Sequence, residues 1–341
     1  MEFKKELHNG VEYRFDPLTS HQTRINPARA QRLMQSASPA FTATAWIDST
    51  RDACPFCPES ILTATPCFSS DFCREGRIRS GEGYVFPNLH PFSQYHAVAT
   101  LSRQHFLDLD QFDQTLLASS LRTSRDYFLK VYAYDHKARY PIYLWNYLPP
   151  SAGSIIHPHI QLMVEPEAVP ELKVIADRAK SYSESTGRNY WDELVEAEKR
   201  LGERYIGAVG NIHLIASYAP RGFRELTAIV PGLSSFEGLD DAQVAVLAGC
   251  FSRILKCYKT MGVGSFNLVS FSSALQEPSP HFSLHFKIIS RPYPQNVYTN
   301  DTGPFERLYD IWVIDTLPEE TAATFRAFLR SSVSDSVLDG C

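Results

Sequence analysis

The chain contains no apolar run approaching the ~18 residues that a membrane helix needs. Its first residues, MEFKKELHNG, are charged where a secretory leader has an apolar core. Lys and Arg number 33 against 38 Asp and Glu, so a net charge of −5 leaves no basic excess from which to build a nucleic-acid face. Disulfide scaffolding is also missing. The seven cysteines are an odd count, and apart from Cys54 and Cys57 in a C-x-x-C they are scattered. That usage fits a reducing compartment with one metal pair and otherwise ordinary thiols. A cytoplasmic protein, free of membrane and nucleic acid, is the expectation. What is present is ordinary globular material: 341 residues, 44% hydrophobic and 21% charged, enough for a sizeable core.

Periodicity gives the organisation. Residues 1–45 read as an irregular arm with a hairpin, VEYRF and QTRIN flanking a turn at Asp16-Pro17. Residues 50–83, rich in Cys, Pro, Ser and Gly, read as loop around a metal knuckle. Strand patterns follow at YVFPNL and YHAVATL, then a long amphipathic helix over LDLDQFDQTLLASSLRTSRDYFLKVYAYD, then strands at YPIYLWNYL and HIQLMVEP. After helices over 166–205 the order recurs: strands at IHLIASYAP and RELTAIVPG, a helix over FEGLDDAQVAVLAGCFSRILKCYKTM, and strands at FNLVSFSSAL and HFSLHFKIISRP. His159 and His285 are then 126 residues apart, and the helix starts Leu109-Asp110-Gln111 and Leu239-Asp240-Asp241 are 130 apart. One supersecondary unit occurring twice is the simplest reading. The expected fold is α+β, with duplicated halves over 1–165 and 166–330, antiparallel sheets, helices packed on one side, and a disordered tail over 331–341.

The chemistry concentrates in His157-Pro158-His159-Ile160-Gln161. On a strand the side chains alternate, so both histidines and Gln161 share one face. Cys54-Pro55-Phe56-Cys57 has the turn spacing for two thiolates on one zinc, and His105 and His157 are the best remaining ligands. A Cys2His2 set is closed, so that zinc is structural; the competing reading is a plain loop with two free thiols. With His157 on the metal, His159 is free to attack phosphorus as a neutral imidazole; the alternative is a core histidine bonded to backbone. Gln161 can hold a phosphate oxygen without a titratable proton. Ser154, after Ala152-Gly153, can donate a hydroxyl, or can simply belong to a tight strand connection. Arg29 and Arg32 are three apart in the arm and either clamp phosphate or are solvated.

Together these residues resemble the galactose-1-phosphate uridylyltransferase branch of the histidine-triad superfamily, over almost the whole chain. Tyr13-Arg14-Phe15-Asp16-Pro17-Leu18-Thr19 is similar to that family's opening motif, and Asn26-Pro27-Ala28-Arg29-Ala30-Gln31-Arg32 to its phosphate-binding arm. Cys54-Pro55-Phe56-Cys57 resembles its zinc knuckle, with His105 as third ligand. Phe86-Pro87-Asn88 resembles the segment approaching the nucleotide, and Asn146, Ser154 and HPHIQ its active-site block. The resemblance implies His159 as the nucleotidylated nucleophile and His157 as a zinc ligand. It implies Gln161 and Ser154 as phosphate contacts, with Arg29, Arg32, Asn88 and Asn146 in substrate binding. A homodimer with sites near the interface is implied too. Gln161, standing where histidine-triad hydrolases carry a third histidine, favours transfer over hydrolysis. Departures from the pattern are Ile160 in place of Gly, Trp145 before Asn146, the Tyr147-Leu148-Pro149-Pro150 loop, and Ser283-Leu284-His285 in the second copy. The last argues against a second metal site.

The leading expectation is a zinc-holding nucleotidyltransferase. It passes UMP from a UDP-hexose to a hexose 1-phosphate through nucleotidyl-His159, with a nucleotide sugar and a sugar 1-phosphate as partners. A phosphorylase acting on an ADP-sugar or a dinucleoside polyphosphate, with phosphate as acceptor, is the runner-up. A non-catalytic nucleotide-binding protein is the alternative from another class.

Overall fold

The computed structural model describes residues 1–31, 43–295 and 300–338. The first strands are β1 (Lys5–His8), β2 (Val11–Phe15), β3 (Gln22–Ile25), β4 (Ile78–Ser80), β5 (Gly83–Pro87), β6 (Tyr95–Thr100), β7 (Tyr140–Tyr147) and β8 (His159–Glu165). The later ones are β9 (Tyr205–Val209), β10 (Ile212–Ala216), β11 (Phe223–Ile229), β12 (Ser265–Phe271), β13 (His285–Arg291) and β14 (Trp312–Ile314). The helices are α1 (Ala43–Ser49), α2 (Ile61–Ala64), α3 (Gln114–Tyr134), α4 (Pro170–Thr186), α5 (Tyr190–Leu201), α6 (Asp241–Thr260), α7 (Pro304–Tyr309) and α8 (Pro318–Leu338). No helix among the described residues is long and apolar enough to cross a membrane.

Ten strands form one sheet in the order β4-β5-β6-β8-β7-β12-β13-β11-β10-β9. Outward from the β7–β12 junction, each half has the same strand order. Leu162, three residues past His159, pairs with Tyr143, and Ile288, three past His285, pairs with Leu268. Tyr143 and Leu268 are therefore equivalent, as are Leu144 and Val269, and these last two pair with each other. The copies meet about a local two-fold at the centre of the sheet, where each covers the other's open edge.

The helix alignment expected at 130 residues slips by one turn. Leu109–Gln111 is a separate 3-10 turn capped by Asp108, and α3 starts only after its own cap, Asp113. Its counterpart is the 3-10 turn Phe236–Gly238, and α6 is capped by Asp240. Caps 113 and 240 are 127 apart, which agrees with the sheet; the repeated Leu-Asp pair had aligned the wrong turns.

Along β7 the buried residues are Pro141, Tyr143, Trp145 and Tyr147, and the half-buried ones are Tyr140, Ile142, Leu144 and Asn146. Tyr143, Trp145 and Tyr147 pack with Leu117, Leu121 and Phe128 of α3 and with Val244, Leu247 and Phe251 of α6 in one core spanning both halves. Each of these rings and branched chains contributes on the order of 2 kcal/mol by leaving water. On the other face the halves differ. Leu172, Ile175 and Trp191 of α4 and α5 cover Ile215 and Ile229, so the second half has helices on both faces. In the first half the cysteine loop lies there instead, with Cys54, Phe56, Cys57 and Ile61 against Phe86 and Val98.

Three further expectations change. The arm keeps its expected hairpin as the antiparallel pair β2 and β3, but the hairpin is part of a sheet, ordered β1-β2-β3-β14, in which β14 from the far end of the chain lies parallel to β3. The cysteine-rich stretch includes α2 and β4. The expected tail is helical as far as Leu338, because no Pro or Gly interrupts it before Gly340.

Candidate active site and metal centre

Cys54, Cys57, His105 and His157 are all buried, and their ligand atoms lie within 4.8 Å of one another. The turn after α1 places the thiols, the loop after β6 places His105, and the segment before β8 places His157. Both histidines aim Nδ1 inward: His105 Nδ1 is 3.4 Å and His157 Nδ1 3.7 Å from Cys57 Sγ. Their Nε2 atoms are held from outside, His157 by the Ser102 carbonyl at 2.8 Å and His105 by Ile47 O at 3.3 Å and Thr50 Oγ1 at 2.9 Å. Such outer bonds fix the tautomer a metal ligand needs. Burial pushes His157 down to about 4, so it is neutral. Burial, with the Cys54 thiol beside it, pushes the Cys57 thiol up to about 12, a cost that a bound cation offsets. Two thiols and two neutral imidazoles converging in a dry pocket fit a tetrahedral soft-to-borderline ion.

His159 opens β8, 8% exposed, with Phe56 edge-on at 5.3 Å between ring centroids. Its Nδ1 donates to the His157 carbonyl at 2.8 Å. The Nε2 lone pair is therefore the free one. Burial lowers its pKa, opposed by the carbonyl bond, and holds the ring neutral. Gln161, two residues on and half-buried, shares this face. Its Oε1 is 2.8 Å from His96 Nε2. Asn88 Nδ2 is 3.1 Å from the same ring atom, so Asn88 stands beside the site. Asn146 is also there: its Oδ1 accepts from Asn267 Nδ2 at 2.7 Å, and Asn267 also donates to Ser151 O at 2.8 Å.

The loop from Asn146 to Ser154 takes a strained path. Leu148 has φ 66° and ψ 162°, a region that suits glycine, and Pro149–Ser151 form a 3-10 turn. Leu148 is held there by burial and by Ser151 Oγ and Gly153 N, both bonding to its carbonyl. A Cβ on Gly153 would lie 2.9 Å from Asn146 O and 3.1 Å from Leu148 O, so only glycine fits. Ser154 emerges exposed at the end of this loop.

The structure thus gathers the four metal candidates, and it groups His159, Gln161, Asn88 and Asn146 around one sheet face. Arg29 is elsewhere, exposed in the 3-10 turn Pro27–Gln31 and lining a groove with Arg24, Asp301 and Glu306 beside the small sheet. Arg32 lies outside the described residues. His96 and Asn267 were not anticipated. Each lies in a strand whose pattern reads as structural, and the only signal was that His96 falls nine residues before His105.

In the second half His285 repeats His159 closely. It opens β13, and its Nδ1 bonds the Ser283 carbonyl at 2.8 Å. Its ring, however, is stacked on Phe271 at 4.8 Å and packed by Trp191 at 5.1 Å. Ser283 replaces the first histidine of the pair, and among the described residues no metal-ligating cluster forms in this half.

No protein-family model matches the chain. An uncharacterized protein of Archaeoglobus fulgidus is 32% identical over 340 residues, covering 96% of this chain and 98% of its own. Among solved structures, an ADP-glucose phosphorylase from Arabidopsis thaliana with bound ADP-glucose superposes with a TM-score of 0.73 at 20% identity, over 93% of this chain and 98% of that one. A uridylyltransferase superposes with a TM-score of 0.68, also at 20% identity, over 94% and 98%. Identity this low establishes the fold that the chains share.

Proposed function

From a chain that belongs to one family with the Archaeoglobus protein and has the uridylyltransferase fold, we propose a nucleotidyl-transferring enzyme that works through a covalent nucleotidyl-histidine. The donor is a nucleotide sugar of the UDP-hexose type and the acceptor a hexose 1-phosphate. The observation that carries this reading is His159: neutral, with Nδ1 tied to backbone and Nε2 free on the same face as the Gln161 amide.

In the first step the Nε2 lone pair attacks the α-phosphorus. The P–N bond forms as the bond from phosphorus to the sugar-phosphate oxygen breaks, and that oxygen keeps the electron pair. In the second step an oxygen of the acceptor phosphate attacks phosphorus, the P–N bond breaks, and the pair returns to Nε2. The Gln161 N–H and Ser154 O–H groups, with Asn88 and Asn146 nearby, stabilise charge on the phosphoryl oxygens. Arg29 and Arg32 belong to substrate binding in this reading. In this reading the enzyme is a homodimer with its sites near the subunit interface, and Arg29, which lines a groove beside the small sheet, serves the site there. Zinc is held by Cys54, Cys57, His105 and His157. Its contribution is to tie the cysteine loop to the start of β8 and so keep His159 in place.

The test is intact mass after mixing the protein with UDP-, ADP- and GDP-sugars and diadenosine polyphosphates. A gain of one nucleoside monophosphate, acid-labile and absent in folded His159→Ala, is the expected result and names the base. Chasing the adduct with hexose 1-phosphate or with inorganic phosphate separates transferase from phosphorylase. No adduct with any donor, from folded zinc-loaded protein, refutes the covalent mechanism.

A further inference from the structure

His96 is 4% exposed, lies on β6 beside β8, and has no part in the chemistry above. Its ring is pinned by Phe92, edge-on at 4.4 Å, and its Nδ1 accepts the Phe92 backbone N–H at 3.4 Å. A nitrogen that accepts carries no proton, so in the neutral ring the proton is on Nε2. Nε2–H then donates to Gln161 Oε1 at 2.8 Å. The Asn88 amide nitrogen near the same atom is itself a donor, with Asn88 Oδ1 engaged by His90 N–H at 2.9 Å, so it is a neighbour and not a partner. Burial keeps His96 neutral against the pull of Gln161.

The consequence falls on Gln161. An amide has two ends of nearly equal shape and opposite polarity, and a flip would aim its oxygen at the incoming phosphate. With Oε1 held by His96, both N–H groups must point the other way. They have no protein partner among the described residues, which leaves them for a ligand.

The second half supplies an independent check. Gln161 pairs with Val98, two residues after His96, and Lys287 pairs with Thr227, two residues after Glu225. Counted along the strand, His96 and Glu225 therefore correspond, although the register of β11 shifts between Phe223 and Leu226. Glu225, 3% exposed, holds Lys287 Nζ at 3.1 Å. In both copies the adjacent strand carries a buried polar group that grips the side chain two residues after the strand's first histidine, with chemistry matched to that side chain.

We propose that His96 is a positioning residue that locks the Gln161 amide with its N–H groups facing the phosphoryl group attacked by His159. This rests on the nucleotidyl-transfer reading. Single-turnover adduct formation is measured with the donor that labels the wild type. His96→Leu should slow it by about 10- to 100-fold, leave donor affinity within about 3-fold, and leave zinc content and melting temperature near wild type. His96→Gln, whose amide nitrogen reaches where Nε2 does, should recover most of the rate. In a Gln161→Ala background, His96→Leu should cost less than about 2-fold, because the two act as one unit. Wild-type rates in His96→Leu, equal costs in both backgrounds, or no recovery in His96→Gln would each overturn the proposal. A readout independent of turnover is the Gln161 side-chain 15N–H2 pair, assigned by its loss in Gln161→Ala. In His96→Leu its two proton shifts should move and broaden, and unchanged shifts would overturn the lock. If the wild type forms no adduct, the transfer reading fails, and these shifts still decide whether His96 holds Gln161.

Discussion

Glu319, in the first turn of α8, joins three parts of the chain through charge, and removing that charge should cost stability without touching the site. Arg14 of β2 donates Nη1 to Oε1 at 2.9 Å and Nη2 to Oε2 at 3.0 Å, and Arg204, just before β9, donates Nη1 to Oε1 at 2.8 Å. Both arginines are 2% exposed, while the Glu319 side chain is 29% exposed. Burial raises the carboxyl, yet the two guanidinium groups outweigh it and bring Glu319 from 4.5 down to about 2. A shift of that size corresponds to about 3 kcal/mol. Water reaches part of the group and screens it, and in Glu319→Gln one acceptor remains while Glu12, Glu198 and Glu203 still serve the arginines. The cost expected for Glu319→Gln is therefore about 2–3 kcal/mol at pH 7.

The pH dependence makes this refutable. The folded pKa is below the unfolded one, so the contribution is complete above about pH 4.5 and is lost as the pH falls toward about 2. At pH 3.5 about three-fifths should survive, or roughly 1–2 kcal/mol. Urea unfolding of wild type and Glu319→Gln, followed by circular dichroism and tryptophan fluorescence at pH 7 and pH 3.5, gives the two differences. Groups common to both proteins cancel, the histidines and the metal ligands included. A variant as stable as wild type at pH 7, or a difference that stays constant on acidification, refutes the reasoning. Adduct formation at 20 °C should be unchanged.

Three further outcomes follow from the site. Burial holds His159 below the ordinary imidazole value of 6.5, so single-turnover labelling by a fully ionised nucleotide sugar should stay flat from pH 8 through 6.5 and decline only below it; a midpoint above 7 would contradict this. Cys57→Ser, or exhaustive chelation, should take zinc from about one ion per chain to near zero and lower the melting temperature by roughly 5–10 °C, as read by metal analysis and calorimetry. Unchanged melting would deny the knuckle a structural role. Gly153→Ala forces a Cβ to 2.9 Å from a backbone oxygen, so it should cost about 1–3 kcal/mol and slow labelling at least about 10-fold by moving Asn146 and Ser154; normal labelling would show that the loop does not position them.

What could be read from the sequence, and what could not, divides by range of interaction. The shared face of His159 and Gln161 follows from the two-residue period of a strand, and the structure keeps it. The Cys54, Cys57, His105 and His157 quartet was legible because those residue types have few other reasons to coincide, even with the ligands spread over 104 positions. The two-fold repeat was legible in strand order but slipped by a turn at the helices, since Leu-Asp occurs at both the 3-10 turn and the cap. The position of Arg29 is set by tertiary pairing. The backbone N–H of Asn26 bonds to Ile314 O at 2.9 Å, and the parallel pairing of β3 with β14 holds the arm beside the small sheet. No local pattern encodes a partner so far along the chain. His96 was missed for the complementary reason, because its meaning lies in a diagonal contact with the neighbouring strand. Local periodicity placed His159 and Gln161 on one face, and cross-strand register decided which neighbours hold them. Glu225 holding Lys287 makes the point: in each copy a buried polar group on the adjacent strand grips the side chain two residues after the strand's first histidine, with chemistry that follows what it grips.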